Sequence, residues 1–116
     1  MSEVGFTYDP VRGRAPRAGY ALAIHPERGW VIEAARFRAE HLRRFLAAHL
    51  ELLRADPALH AGGWLDHRRG LVHLDLAVVE PAPARALRLA RRHGQLGVFD
   101  LAAGRTIPTG REPIPR

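Results

Sequence analysis

Apolar and polar positions along the chain follow two different periods. From Tyr20 to His25 the apolar side chains Tyr20, Leu22 and Ile24 recur every second residue, the period of a half-buried strand. Pro26-Glu27-Arg28-Gly29 interrupts the run with turn chemistry, and Trp30-Val31-Ile32-Glu33 resumes it, which predicts a hairpin. From Ala35 to about Arg54 the period changes: Leu42, Phe45, Leu46, His49, Leu50 and Leu53 lie three and four apart, one stripe of an amphipathic helix. Asp56-Pro57 closes that helix, because proline disfavours α geometry in the residue before it. A second hairpin is predicted from Gly62–Asp66, a turn at His67-Arg68-Arg69-Gly70, and a long strand from Leu71 to Val79. In that strand Val72, Leu74, Leu76 and Val78 point one way and Leu71, His73, Asp75, Ala77 and Val79 the other. Pro81 and Pro83 end it and start a helix over Ala84–His93, with Gly94 as its C-cap. Leu96–Leu101 reads as a further strand, with Thr106-Ile107 pairing back after the turn at Ala103-Gly104.

The element order is ββα-ββα-ββ, an α+β fold with an antiparallel or mixed sheet and two helices on one face. From Trp30 to Leu101 the same string reads βαββαβ, the ferredoxin-like order, with an extra strand at each end. Residues 1–18, with Gly5, Pro10, Gly13, Pro16 and three arginines, hold no period beyond an extended piece at Gly5–Tyr8 and read as a flexible basic arm. Residues 19–109 read as one domain and residues 110–116 as a flexible tail. A chain of 116 residues suits a single modest core.

Composition narrows the function classes. There is no cysteine, which excludes disulfides and cysteine-based zinc sites, and no apolar run of membrane-spanning length. The N-terminus carries no secretory pattern, so a cytoplasmic location is expected. The net charge is +6, and all eighteen basic residues are arginine; lysine and asparagine are both absent. That bias matches a high-GC genome, so part of the charge reflects codon usage. The rest is unevenly placed: the second helix carries Arg85, Arg88, Arg91 and Arg92 without an acid, and the arm carries Arg12, Arg14 and Arg17. These seven are the candidate binding residues, with nucleic acid or an acidic protein surface as partner.

Candidate chemistry is sparse. His73 and Asp75 lie two apart on one strand face, where a carboxylate can fix an imidazole's tautomer and make it a base. They are the alternative catalytic pair; the plainer account is a solvated polar pair on the open face. His60, Asp66 and His73, with His67 nearby, form an alternative metal set, although no HxxxH or HExxH spacing is present. His49 sits in the helix stripe and reads as a hydrogen-bonded core or boundary residue. Trp30 and Trp64 read as core anchors. No phosphate-binding or nucleophile-elbow motif occurs, the one serine is Ser2, and no cofactor is implied. A helix-turn-helix is excluded because a hairpin separates the helices, and an RNA-recognition motif because the inner strands offer only Phe99.

The second half, through Gly63-Trp64-Leu65-Asp66, Val72-His73-Leu74-Asp75, Ala86-Leu87-Arg88-Leu89-Ala90, Gln95-Leu96-Gly97-Val98-Phe99-Asp100-Leu101 and Ile107-Pro108-Thr109-Gly110, resembles small uncharacterised proteins of actinobacterial, phage and other mobile-element genomes. The resemblance implies an accessory role and carries no catalytic residue. The first expectation is therefore a non-enzymatic binding or accessory protein docking its arginine surface. The alternatives are a small enzyme or metal-dependent protein using His73 and Asp75, and an oligomerising structural subunit whose open sheet face forms a homodimer.

Overall fold

A computed structural model describes residues 5–110. Seven strands form one antiparallel sheet: β1 (Gly5–Tyr8), β2 (Tyr20–Ile24), β3 (Trp30–Glu33), β4 (His60–Asp66), β5 (Leu71–Glu80), β6 (Gly97–Asp100) and β7 (Arg105–Pro108). The helices are α1 (Ala39–Ala48), α2 (Leu50–Ala55) and α3 (Pro83–Arg92). Across the sheet the order is β1-β4-β5-β2-β6-β7, with β3 also on β5.

The expected hairpin of Tyr20–His25 with Trp30–Glu33 does not form. Both segments pair with β5 on the same edge, β2 opposite Leu76–Glu80 and β3 opposite Leu71–Leu74. They are two pieces of one strand path, and the five residues between them loop out opposite Asp75. Pro26 has no N–H to give a ladder, so the chain leaves the sheet there in a 3₁₀ turn, Pro26–Arg28, entered through a left-handed His25 (φ 52°). With that hairpin gone, the ββα unit is not repeated. The second hairpin is as predicted, with β4 and β5 paired from His60↔Ala77 to Asp66↔Leu71.

The helix expected over 35–54 is shorter and broken. Ala34–Arg36 is a 3₁₀ turn, α1 starts at Ala39, and His49 leaves helical geometry between α1 and α2. The His49 Nδ1 lies 2.9 Å from the Phe45 carbonyl and its ring sits on the Phe45 ring, so a local bond competes with the helix ladder. In α3, Gly94 (φ 70°) ends the helix, with its N–H on the Arg91 carbonyl and the Gln95 N–H on the Ala90 carbonyl.

Residues 5–14, placed in the basic arm on sequence grounds, are an edge strand and a turn. β1 pairs with β4 from Gly5↔Trp64 to Tyr8↔Ala61. Asp9, 2% exposed, then closes a turn to Arg14. Its carboxylate accepts the Val11 and Arg12 backbone N–H groups and the Arg12 guanidinium, which also donates to the Leu53 carbonyl near the end of α2. Residues 1–4 and 111–116, with most of the expected tail, lie outside the described residues.

Two clusters form the core. Phe45 of α1 and Leu53 of α2 pack with Ile32, Leu59, Leu74 and Leu76. Ala86 and Ala90 of α3 pack with Leu22 and Val98. Ile24 and Val78 join both clusters. Alternation along β5 therefore turns His73, Asp75 and Ala77 to the opposite face from Leu74 and Leu76.

Candidate functional site

On that opposite face mostly small residues come together across β1, β4, β5, β2, β6 and β7. Thr7, Gly62 and Asp75 form one row, and Ala77 and Ala23 belong to the next. Ala21, Phe99 and Thr106 follow on β2, β6 and β7. Glycine and alanine leave the floor low while the sheet curls, so residues from both edges, Thr7 and Thr106, line one cavity of about 380 Å³. That volume lies within the range of small-molecule sites. Trp64, Leu96 and Phe99 supply apolar wall, and Asp75 is the one ionisable side chain among the described lining residues. A second, apolar depression of about 280 Å³ lies between β1 and α1, lined by Phe6, Tyr8, Leu42 and Leu46 among others.

Asp75 is set by its neighbours. On the β4 side it faces Gly62, and a Cβ there would collide with the Asp75 Oδ1, so the carboxylate lies over the glycine. On the other side the strand path is interrupted, and no strand side chain flanks it. No hydrogen bond or ion pair engages the Asp75 carboxylate among the described residues. Burial without such compensation pushes its pKa up to about 7.

His73 has a different environment. Its ring stacks on Trp64, centroids 4.2 Å apart and planes within 6°. Its Nε2 is buried with no hydrogen-bond partner. Burial lowers its pKa; Asp66 opposes that and Arg69 adds to it. No hydrogen bond or ion pair joins His73 to Asp75 among the described residues, and only Asp75 lines the cavity. Trp64 is 43% exposed, so it is a surface stacking partner and not the core anchor expected; Trp30 does pack against the first cluster.

The alternative metal set is not gathered. His60 Nδ1 contacts the Ala58 carbonyl. Asp66 accepts the Arg68 and Arg69 N–H groups in its turn, and His73 faces Trp64. Among the described residues no group of three histidines or carboxylates is placed to hold a metal.

The arginines divide. Arg85 pairs with Glu80 at 3.3 Å, Arg91 donates to the Thr109 carbonyl at 2.8 Å, and Arg12 is held by Asp9. Arg88 and Arg92 on α3, and Arg14 and Arg17 near the N-terminus, are exposed, and among the described residues their side chains form no ion pair or hydrogen bond. Sequence reasoning placed Asp75 on the open face but missed the cavity. Its signal was the set of small residues Ala21, Ala23, Gly62, Ala77 and Gly97 at alternating strand positions, whose registers only pairing reveals.

No helix among the described residues is long and apolar enough to cross a membrane. No protein-family profile, curated protein or solved structure matches the chain.

Proposed function

We propose that the protein is a small non-enzymatic binding module, an accessory protein of phage or mobile-element type, that seats a small molecule in the cavity of its curled sheet. The cavity carries this reading: it is concave, mostly apolar, of ligand size, and holds one ionisable anchor among the described residues, Asp75. An enzyme reading has less support, because His73 and Asp75 are not bonded to one another and a lone carboxyl lacks the second group that acid–base or nucleophilic chemistry needs. We read the central order β4-β5-β2/β3-β6, with its two helical crossovers, as a ferredoxin-like core with β1 and β7 added at the edges. The sharing of Ile24 and Val78 by both core clusters supports both crossovers lying on one face.

Fragment titration followed by amide NMR tests the seat. Small aromatic fragments are expected to shift the signals of Gly62, Asp75, Ala77 and Phe99 together, and Ala23→Leu, which fills the floor, is expected to abolish those shifts. Shifts scattered over the surface, or unchanged in Ala23→Leu, would sink the cavity reading. A second reading, docking on nucleic acid or an acidic protein, rests on Arg88 and Arg92, one helical turn apart on α3 and without acidic partners among the described residues.

A further inference from the structure

We infer that the cavity is selective for organic cations: a primary amine or similar ammonium on an apolar body, its N–H groups on the Asp75 carboxylate and its body against Trp64, Phe99 and the small-residue floor. This inference rests on the cavity being a ligand seat. Three observations carry it. Among the described residues Asp75 is the sole ionisable side chain lining the cavity, so once ionised it makes the local charge negative inside a protein of net charge +6. No arginine among the described residues reaches that carboxylate, although six acidic side chains elsewhere hold a basic partner. Gly62 opposite Asp75 carries no side chain, and on the other edge the strand path is interrupted between β2 and β3, so no strand side chain stands beside the carboxylate, which lines the cavity where a ligand head group can meet it.

An ammonium answers what the carboxylate lacks. It supplies charge-assisted N–H donors where the protein supplies none, and the aromatic faces of Trp64 and Phe99 favour a cation over a neutral or anionic group. An anion would meet the carboxylate's charge. A metal ion would need further oxygen or nitrogen ligands, and no group of three is gathered among the described residues.

Binding is coupled to protonation, because an ammonium binds the ionised carboxylate. The titratable groups around Asp75 are few. His73 lies two residues along β5, and His60 is opposite Ala77 on β4. His25, Glu27 and Arg28 lie on the exposed excursion facing it, where His25 and Glu27 pair with each other. β1 contributes Thr7 to its row, and β6 and β7 contribute no ionisable lining residue. Since Asp75 titrates near pH 7, the affinity for an amine that stays protonated across this range rises with pH through that point.

Calorimetric or NMR titration of the full chain with phenethylamine, 2-phenylethanol and phenylacetate at pH 5.5 and 8.5 tests the inference, in the wild type and in Asp75→Asn. Phenethylamine stays protonated at both values. At pH 8.5 it is expected to bind the wild type roughly tenfold or more tightly than the alcohol, and phenylacetate more weakly than either. At pH 5.5 the amine is expected to weaken by about tenfold while the alcohol is unchanged. Asp75→Asn, isosteric and confirmed as folded by its amide spectrum, is expected to bind amine and alcohol alike at both pH values. Equal binding of amine and alcohol by the wild type, or an amine preference that survives Asp75→Asn, overturns the cation selectivity and leaves the ligand seat standing. Absence of binding by all three probes overturns both.

Discussion

At the residue scale, three side chains show how burial and partners set the charge state. Asp9 is buried, which works to raise its pKa. Hydrogen bonds from the Arg12 backbone and guanidinium and from the Val11 N–H outweigh this and hold its carboxyl below the usual range. Asp75, with no such donors, moves the other way. The two have opposite linkage. Asp9 contributes stability above the ordinary carboxylate pKa that is lost as pH falls through its lowered value. Asp75 is protonated in the folded chain and ionised in the unfolded one between about pH 4 and pH 7, so stability falls as pH rises across that window and levels off above it. His73, its pKa lowered, stays neutral and loses stability as pH falls through that value. Asp75→Asn isolates one contribution: it is expected to stabilise the protein at pH 8, by at most about 4 kcal/mol, and by far less at pH 4.5. Urea melts at both pH values check this, and an equal effect at both would mean that the carboxyl is not perturbed by burial.

At the element scale, the interrupted β2–β3 path and the clamp on β7 are the informative features. Alternation predicted each strand segment, yet pairing decided that the segments run on in one direction along β5. Pro26 and Gly29 are as compatible with a hairpin turn as with an excursion, so local sequence could not choose between them. Among the described residues β7 has only β6 as a strand neighbour, and it is held to α3 at its end by Thr109, 2% exposed. The Thr109 hydroxyl donates to the Gln95 carbonyl at 3.0 Å, its N–H to the Leu96 carbonyl, and its carbonyl accepts from Arg91. Thr109→Val removes the hydroxyl donor, keeps the shape and leaves a carbonyl short of a partner. The expected cost is about 1–2 kcal/mol, with faster hydrogen exchange in β6 and β7 before the rest of the sheet. Uniform exchange across the sheet would show that this end opens only with global unfolding.

For the whole molecule, the charge and the curl of the sheet matter most. The net charge of +6 is spread over a surface where Arg12, Arg85 and Arg91 already serve internal contacts. If α3 docks on nucleic acid, affinity for a DNA duplex measured by fluorescence anisotropy falls linearly with log salt, and replacing Arg88 and Arg92 by alanine flattens that slope by about two. A slope that the double variant leaves unchanged would place any DNA contact elsewhere. The curl has the opposite electrostatic sense: it collects small residues around a single carboxylate.

By itself the sequence determined the local elements: the period of two in Tyr20–Ile24 and Leu71–Val79, the helix stripe through Phe45 and Leu53, and the glycine cap at Gly94. It also placed His73 and Asp75 on the same strand face, away from Leu74 and Leu76. These are short-range consequences of side-chain alternation and turn chemistry. Tertiary structure alone decided that Gly5–Tyr8 joins the sheet, that β2 and β3 share one edge of β5, and that Ala23, Gly62, Asp75 and Phe99 surround one cavity. Each depends on which strand lies beside which, and register between segments distant in the chain is set by the sheet as a whole. The same long-range pairing separates the fates of His73 and Asp75: cross-strand Trp64 takes the imidazole, while Gly62 leaves the carboxylate bare.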